Sequence, residues 1–155
     1  MLAQLGSRGL GRPLQAEWRD KPSLLVHQID DGGVIHRVTA LFEVSEIFRN
    51  LGPDADRVRA FFFTVDPERD NPAALKEYLS SFDPRLSGLT GSLEDIAAVA
   101  KSYRAIYRKV PLDQGGYTMD HTAIVYLMDK QGRFVAPFSL KRTTEASAAE
   151  LRKHL

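Results

Sequence analysis

Hydrophobic and polar positions follow a regular pattern from residue 42 to the end of the chain. The apolar residues of 42–51 recur at helical spacing and are closed by Gly52-Pro53, which predicts a helix. The run VRAFFFTV at 58–65 is typical of a strand buried on both faces. The same criteria predict helices over 72–82, 93–109 and 144–155, a short strand over 86–90, and a β-hairpin of 122–129 and 133–138. Because helices alternate with buried strands and a hairpin ends the sheet, the predicted class is α/β in a thioredoxin-like order.

Two of the predicted helices begin with recognisable caps. Asp70 or Asn71 is suited to cap a helix whose first position is Pro72. Ser92 and Asp95 resemble a capping box in which Asp replaces the usual Glu or Gln. Both caps support the predicted helix starts.

The first part of the chain lacks such order. Residues 1–41 show neither the period of a strand nor that of a helix, and they carry paired glycines and scattered arginines. We therefore expect weak or irregular structure over 1–41. Pro22–Val26 is the exception, since this short apolar stretch could pass for a strand.

An inverted repeat in the coding DNA would explain this segment. When positions that add up to 155 are paired, every residue of 1–41 has a codon whose reverse complement encodes its partner in 114–154. Met119, for example, faces His36, and the single Met codon reverses to a His codon. The pairing fails at the next position. We interpret 1–41 as the antisense translation of the DNA encoding 114–154, and 42–155 as the surviving C-terminal part of a domain.

Composition narrows the classes of function. The chain has 155 residues, 43% of them hydrophobic and 26% charged, enough for the core of one domain. The formal net charge of +1 gives no electrostatic footprint for nucleic acid. No apolar run approaches the ~20 residues of a membrane helix, so without a signal or anchor the chain as written is expected in the cytoplasm. The sequence contains no cysteine, which excludes disulfides, thiolate metal sites and a cysteine nucleophile in this chain.

Two blocks of the surviving part resemble the Sco/SenC family of thioredoxin-like copper proteins. They are FFFTVDPERDNPAALKEYLSSFDPRLSGLTG at 61–91 and YRKVPLDQGGYTMDHTAIVYLMDKQGRFV at 107–135. The resemblance implies a Sco-type, three-layer thioredoxin-like domain that delivers copper to the binuclear copper centre of cytochrome c oxidase. It implies the copper-containing oxidase subunit as partner and the periplasmic side of the inner membrane as location. We expect a monomer.

The family holds one copper ion with a Cys-x-x-x-Cys pair and a distant His. Thiolates select Cu(I), and an added imidazole allows Cu(II) as well. The family's Asp-His-Thr-Ala motif matches His121, at the start of a predicted strand, with Asp120 beside it and able to orient the ring. Counting back from the helix that begins near Leu41 puts the two cysteines at about Gly33 and Arg37, inside the antisense segment. The resemblance thus implies that His121 is a surviving copper ligand and that this chain itself binds no copper.

The predicted function is therefore that of a copper chaperone for cytochrome c oxidase assembly whose metal site is missing. One alternative is a thiol–disulfide oxidoreductase of thioredoxin type, which needs a nucleophilic cysteine and so applies only to the intact parent. We accordingly expect no enzymatic activity. The other alternative is a non-catalytic interaction module that keeps the scaffold and a docking surface.

Polar residues outside the motif leave further interpretations open. The loop Asp66–Asp70 follows the carboxyl end of a buried strand, where α/β proteins place their sites. It is interpreted either as a docking or ligand-supporting loop, or as a turn in which Arg69 pairs with a neighbouring carboxylate. The basic residues near the end of the predicted helix 93–109 are Arg104, Arg108 and Lys109. They are interpreted as complementing the helix dipole, with docking to an acidic oxidase surface as the alternative. The nearby Tyr103, Tyr107 and Tyr117 are interpreted as core or rim residues.

Overall fold

A computed structural model describes residues 2–4, 21, 23–27, 34–121 and 124–155. Most of the segment 1–41 predicted to be irregular, and residues 122 and 123 of the predicted hairpin, lie outside the described residues. The strands are β1 (Leu2–Gln4), β2 (Ser23–His27), β3 (Arg59–Phe63), β4 (Leu86–Thr90), β5 (Tyr107–Pro111), β6 (Tyr117–His121), β7 (Val125–Met128) and β8 (Phe134–Pro137). The helices are α1 (Val34–Leu51), α2 (Pro72–Leu79), α3 (Leu93–Ser102) and α4 (Thr144–Arg152), with a 3₁₀ helix at Gly52–Arg57.

Six strands form one mixed sheet in the order β1-β4-β3-β2-β7-β8. The first four run parallel to one another, whereas β7 pairs antiparallel with both β2 and β8. The β7–β8 pair is the hairpin that the sequence predicted at the end of the sheet. Strands β5 and β6 form a separate two-stranded antiparallel sheet.

The sheet is covered by apolar side chains on both faces. Phe62 belongs to the core on the side of α1, α2 and α4, together with residues such as Leu75 and Leu151. Phe61 and Phe63 belong to a second cluster on the other side, with Ile96 of α3 and Met119 of β6. Because successive residues of a strand point to opposite faces, this division confirms that the apolar run of β3 is buried on both sides.

Both predicted caps are present. The Asn71 side chain accepts a hydrogen bond from the Ala74 amide, with Pro72 as the first helical residue. Ser92 and Asp95 form a reciprocal capping box at the start of α3. The start of α1 differs from the prediction, because the helix begins at Val34 rather than near residue 42. Extending a formed helix backwards fixes one residue per added hydrogen bond, so it needs no new apolar stripe.

The predicted helix 93–109 is wrong in its second half. Helix α3 ends at Ser102, and Arg104 has a left-handed backbone with φ of 52°. The chain then enters β5, whose partner β6 follows a turn at Gly115 and Gly116, both with positive φ. The apolar residues Ile106 and Tyr107 had extended the helical pattern, but Ile106 is 74% exposed.

Helix α4 contains a buried hydroxyl that should weaken the fold. Ser147 is 1% exposed, and among the described residues its Oγ has no hydrogen-bond partner. Ser147→Ala is expected to raise the free energy of unfolding by about 0.5–1.5 kcal/mol, because it removes an unsatisfied polar group and improves helix propensity. Urea denaturation would measure this gain.

The matched control for that change is Ser102→Ala, since the Ser102 hydroxyl is exposed and donates to the Ala98 carbonyl at 2.9 Å. Its effect should stay within about 0.5 kcal/mol. A loss of stability in Ser147→Ala would show that the buried hydroxyl has a partner after all.

Within the described part of the chain, no helix is both long enough and apolar enough to cross a membrane.

Candidate functional site

The predicted ligand His121 is the last residue of β6, and not the first residue of a strand as the pattern suggested. In the antiparallel pair it lies opposite Tyr107. Its side chain is half-buried and lines an open surface cavity of about 410 Å³ together with Ile106. The hairpin therefore presents this imidazole at its end, partly accessible from outside.

Asp120, next to His121, is engaged across the hairpin. Its carboxylate accepts a hydrogen bond from the Arg108 guanidinium at 2.9 Å. Both side chains are mostly exposed, so this ion pair contributes little to stability. Asp120 is thus paired with Arg108 across the hairpin, and its role in orienting the His121 ring stays a prediction.

The two expected cysteine positions lie at the start of α1. Gly33 is outside the described residues, and Arg37 falls in the first turn of the helix, although its side chain is not described. The described residues contain no group of three His, Cys, Asp or Glu side chains able to hold a metal. A single imidazole lacks the soft thiolates that select Cu(I), so the donors present do not fit a tight copper site.

The loop Asp66–Asp70 is fixed at the carboxyl ends of β3 and β4. Asp66 is 5% exposed, and its backbone carbonyl accepts hydrogen bonds from the amides of Arg69 and Asp70. The Thr64 hydroxyl donates to the Asp70 carboxylate at 2.5 Å, and the Thr90 hydroxyl donates to the Asp70 carbonyl at 2.9 Å. Arg69 pairs with Asp66 at 3.5 Å, as the turn interpretation requires.

Tyr117 connects this loop to the hairpin. Its phenol donates to Asp66 Oδ1 at 3.0 Å and lies 3.4 Å from Glu68 Oε2. The Arg69 Cζ and Lys109 Nζ atoms lie over its ring, 3.7 Å and 3.8 Å from the centroid. Lys109 also donates to Glu68 at 2.8 Å. We call these five residues the tyrosine cluster.

Contacts within the tyrosine cluster shift three pKa values. The hydrogen bond from Lys109 lowers the pKa of Glu68, and the same bond raises the pKa of Lys109. Burial, followed by the hydrogen bond to Asp66, raises the pKa of the Tyr117 phenol. At neutral pH the Tyr117 phenol therefore stays protonated beside the ion pair of Glu68 and Lys109.

Sequence reasoning assigned Tyr117 to the core or rim and missed this cluster. Tyr117 and Asp66 are 51 positions apart, so no local spacing links them. The available signal was the alternation of Tyr117, Met119 and His121 along one strand face, which requires knowing that 117–121 is a strand.

A model of the SCO1/SenC family matches residues 38–155 of the chain. The chain belongs to the SCO1/SenC family. The match begins directly after Arg37, so both expected cysteine positions precede the part that matches the family. It includes β6 and His121.

Curated SCO1/SenC relatives include mitochondrial proteins. The SCO2 homolog of Bos taurus is 42% identical over 104 residues, 66% of this chain and 39% of the relative. The SCO1 homolog 1 of Arabidopsis thaliana is 42% identical over 92 residues, 59% of this chain and 27% of the relative. The chain thus spans about two fifths or less of the length of these two relatives.

Solved structures of the family share the fold. Bradyrhizobium japonicum ScoI with copper bound is 52% identical, with a TM-score of 0.83 over 91% of this chain and 89% of that one. Yeast Sco1 with copper bound is 28% identical, with a TM-score of 0.79 over 90% of this chain and 78% of that one. The predicted thioredoxin-like fold of the Sco type is confirmed.

Proposed function

We propose that the chain is a Sco-type copper chaperone of cytochrome c oxidase assembly in which the copper site has been lost. The observation that carries the proposal is the pairing of a Sco fold and a His at position 121 with a sequence that contains no cysteine. The fold and the imidazole are those of a copper carrier, whereas the two thiolates are missing. Copper is cargo in such a protein, and this copy would not hold it.

The absence of cysteine also bears on thiol chemistry. Exchange of a disulfide begins with attack by a thiolate, and no residue of this chain supplies one. The chain is therefore proposed to be neither a reductase nor an oxidase of thiols. Thiol–disulfide exchange is proposed only for an intact parent protein that carries the cysteines.

The partner and location follow from the same proposal. The partner would be the copper-containing subunit of the oxidase, met on the periplasmic side of the inner membrane. An interaction module without metal is the second candidate, supported by the two buried core clusters that the described residues retain. Binding of the purified soluble part of that subunit to the cysteine-free chain would favour the module, and absence of binding would count against it.

Copper binding by the chain as it stands is the direct test. Titration with Cu(I) against a competing chelator is expected to show no stoichiometric site of sub-micromolar affinity, because a lone imidazole cannot replace two thiolates. A stoichiometric site at that affinity would contradict the proposal. His121→Ala, as control, should leave any weak residual binding of the other histidines in place.

A further inference from the structure

The hairpin that ends in His121 is not part of the six-stranded sheet. Strands β5 and β6 hydrogen-bond to each other as a two-stranded sheet. Their attachment to the domain, as far as the described residues show it, therefore depends on side chains. Two of these lie on the same strand face as His121, since alternate residues of a strand share a face. They are Met119, which is 6% exposed within the second core cluster, and Tyr117.

Met119 supplies an apolar contact, but it does not fix the direction of the hairpin by itself. Tyr117 adds directional contacts to the hydrogen-bonded loop Asp66–Asp70. Its phenol is held by Asp66, and its carbonyl accepts a hydrogen bond from the Arg69 guanidinium. A cation over an aromatic ring and a charged hydrogen bond both depend on geometry, so together they restrict rotation of the hairpin against the domain.

The second strand of the hairpin is held by the same cluster. Lys109 of β5 lies opposite Met119, and its ammonium contacts both the Tyr117 ring and the Glu68 carboxylate. The loop that carries Asp66, Glu68 and Arg69 is tied to β3 and β4 through Thr64 and Thr90. A continuous set of contacts thus runs from the main sheet to both strands of the hairpin.

We propose that Tyr117 is the positioning residue of His121. By docking the hairpin on the loop Asp66–Asp70, it sets where the imidazole stands relative to the first turn of α1. The inference rests on the proposed function in one respect, namely that His121 is the ligand remaining from a lost copper site. Neither the fold nor the ligand motif by itself implies this positioning role for the tyrosine cluster.

The first test uses the unmodified chain and two variants. Tyr117→Leu removes the ring and the phenol, whereas Tyr117→Phe removes the hydroxyl alone. Amide hydrogen exchange in β5 and β6 should become at least about tenfold faster in Tyr117→Leu, the size expected for losing two cation–π contacts and a hydrogen bond. Tyr117→Phe should show a smaller acceleration. Exchange in β3 and β4 should stay near that of the unmodified chain.

The readout specific to positioning is the imidazole itself. The NMR signals of the His121 ring should shift in Tyr117→Leu by more than the loss of the Tyr117 ring current accounts for. They should stay in place in Arg133→Gln, which breaks an exposed ion pair of the other hairpin. Acceleration confined to β5 and β6 together with a displaced His121 signal supports the inference. Unchanged exchange in the hairpin, equal acceleration in all strands, or an unmoved His121 signal overturns it.

A copper readout separates this inference from the proposed function. In a chain carrying Gly33→Cys and Arg37→Cys, adding Tyr117→Leu should weaken copper affinity about 10- to 100-fold, as loss of a supporting residue does at other metal sites. If the cysteine-bearing chain binds no copper at all, the proposed function fails, while the exchange and NMR results still decide the positioning role. If it binds copper equally with and without Tyr117, the positioning role fails alone.

Discussion

Introducing Gly33→Cys and Arg37→Cys together is expected to give the chain a stoichiometric copper site, with an affinity several orders of magnitude above that of the unmodified protein. The two positions have the Cys-x-x-x-Cys spacing of the family. Arg37 lies in the first turn of α1, and Gly33 directly precedes the first helical residue, Val34, in the sequence. Thiolates at the start of a helix are stabilised by its dipole and select Cu(I).

The change at Arg37 acts in two ways. It supplies a sulfur ligand, and it removes a permanently charged residue from a sequence position where the family is expected to carry a copper ligand. We therefore expect Gly33→Cys or Arg37→Cys alone to give only a small part of the gain. Competition titration with a Cu(I) chelator measures each variant.

The matched control is the pair Gly33→Ser and Arg37→Ser, which keeps the size of the side chains and removes the thiolates. It should bind copper no better than the unmodified chain, because a hydroxyl is a poor ligand for Cu(I). Adding His121→Ala to the two cysteines should abolish the Cu(II) spectrum that an imidazole ligand produces. Full Cu(II) binding without His121 would show that this residue is not the third ligand.

The central part of the fold could be predicted because its signals are local. The Phe- and Val-rich run around β3 indicated a strand buried on both faces, and Phe61 and Phe62 do belong to opposite core clusters. The caps at Asn71 and Ser92 depend on residues three positions apart, so spacing alone revealed them. In each case the residues that carry the signal lie within one short stretch of the chain.

The hairpin β5–β6 was missed because its deciding feature is not local. Ile106 and Tyr107 continue the apolar spacing of α3, and no Gly or Pro stands between them and the helix. What ends the helix is the left-handed conformation of Arg104, after which the Ala105 amide donates to the Ala100 carbonyl at 2.8 Å. Pairing with 117–121 then determines that 107–111 is a strand.

The candidate site likewise has one part that local sequence signals predicted and one part that they did not. The family motif singled out His121 without any structure, and counting gave the expected positions of the two missing cysteines. Both assignments stay predictions. The tyrosine cluster was beyond this reasoning, since it joins a loop and a hairpin that are distant in sequence. The antisense origin of 1–41 stays a prediction, which the coding DNA across residues 41 and 42 would test.

The close approach of α2 to the sheet depends on Gly88. This residue of β4 pairs with Phe62 of β3, in the middle of the sheet. A Cβ added to it would lie 2.6 Å from Cδ2 and 2.7 Å from Cγ of Leu75, and 2.9 Å from Cδ1 of Leu79. Both leucines are buried, at 1% and 8% exposure, so their side chains have little room to move away. Only a glycine fits at this position without rearrangement.

Gly88→Ala is therefore expected to lower the free energy of unfolding by about 1–3 kcal/mol, the range for overpacking a core. The reduced entropy of the unfolded chain opposes this loss by only about 0.4–1 kcal/mol. In thermal unfolding the melting temperature should fall by roughly 2–4 °C for each kcal/mol in a chain of this size. A stability equal to that of the unmodified chain would mean that α2 can move away from the sheet freely.

A double-mutant cycle identifies the contact responsible. Leu75→Ala alone should cost about 2–5 kcal/mol through its cavity, but the same cavity accepts the methyl group added in Gly88→Ala. The double variant should thus be more stable than the sum of the two single losses predicts, by about 0.5–3 kcal/mol. As control, Val99→Ala lies in the second core cluster and should add to Gly88→Ala within about 0.5 kcal/mol. If the losses of Gly88→Ala and Leu75→Ala were also additive, the steric argument would be contradicted. The added methyl group would then be strained against some residue other than Leu75.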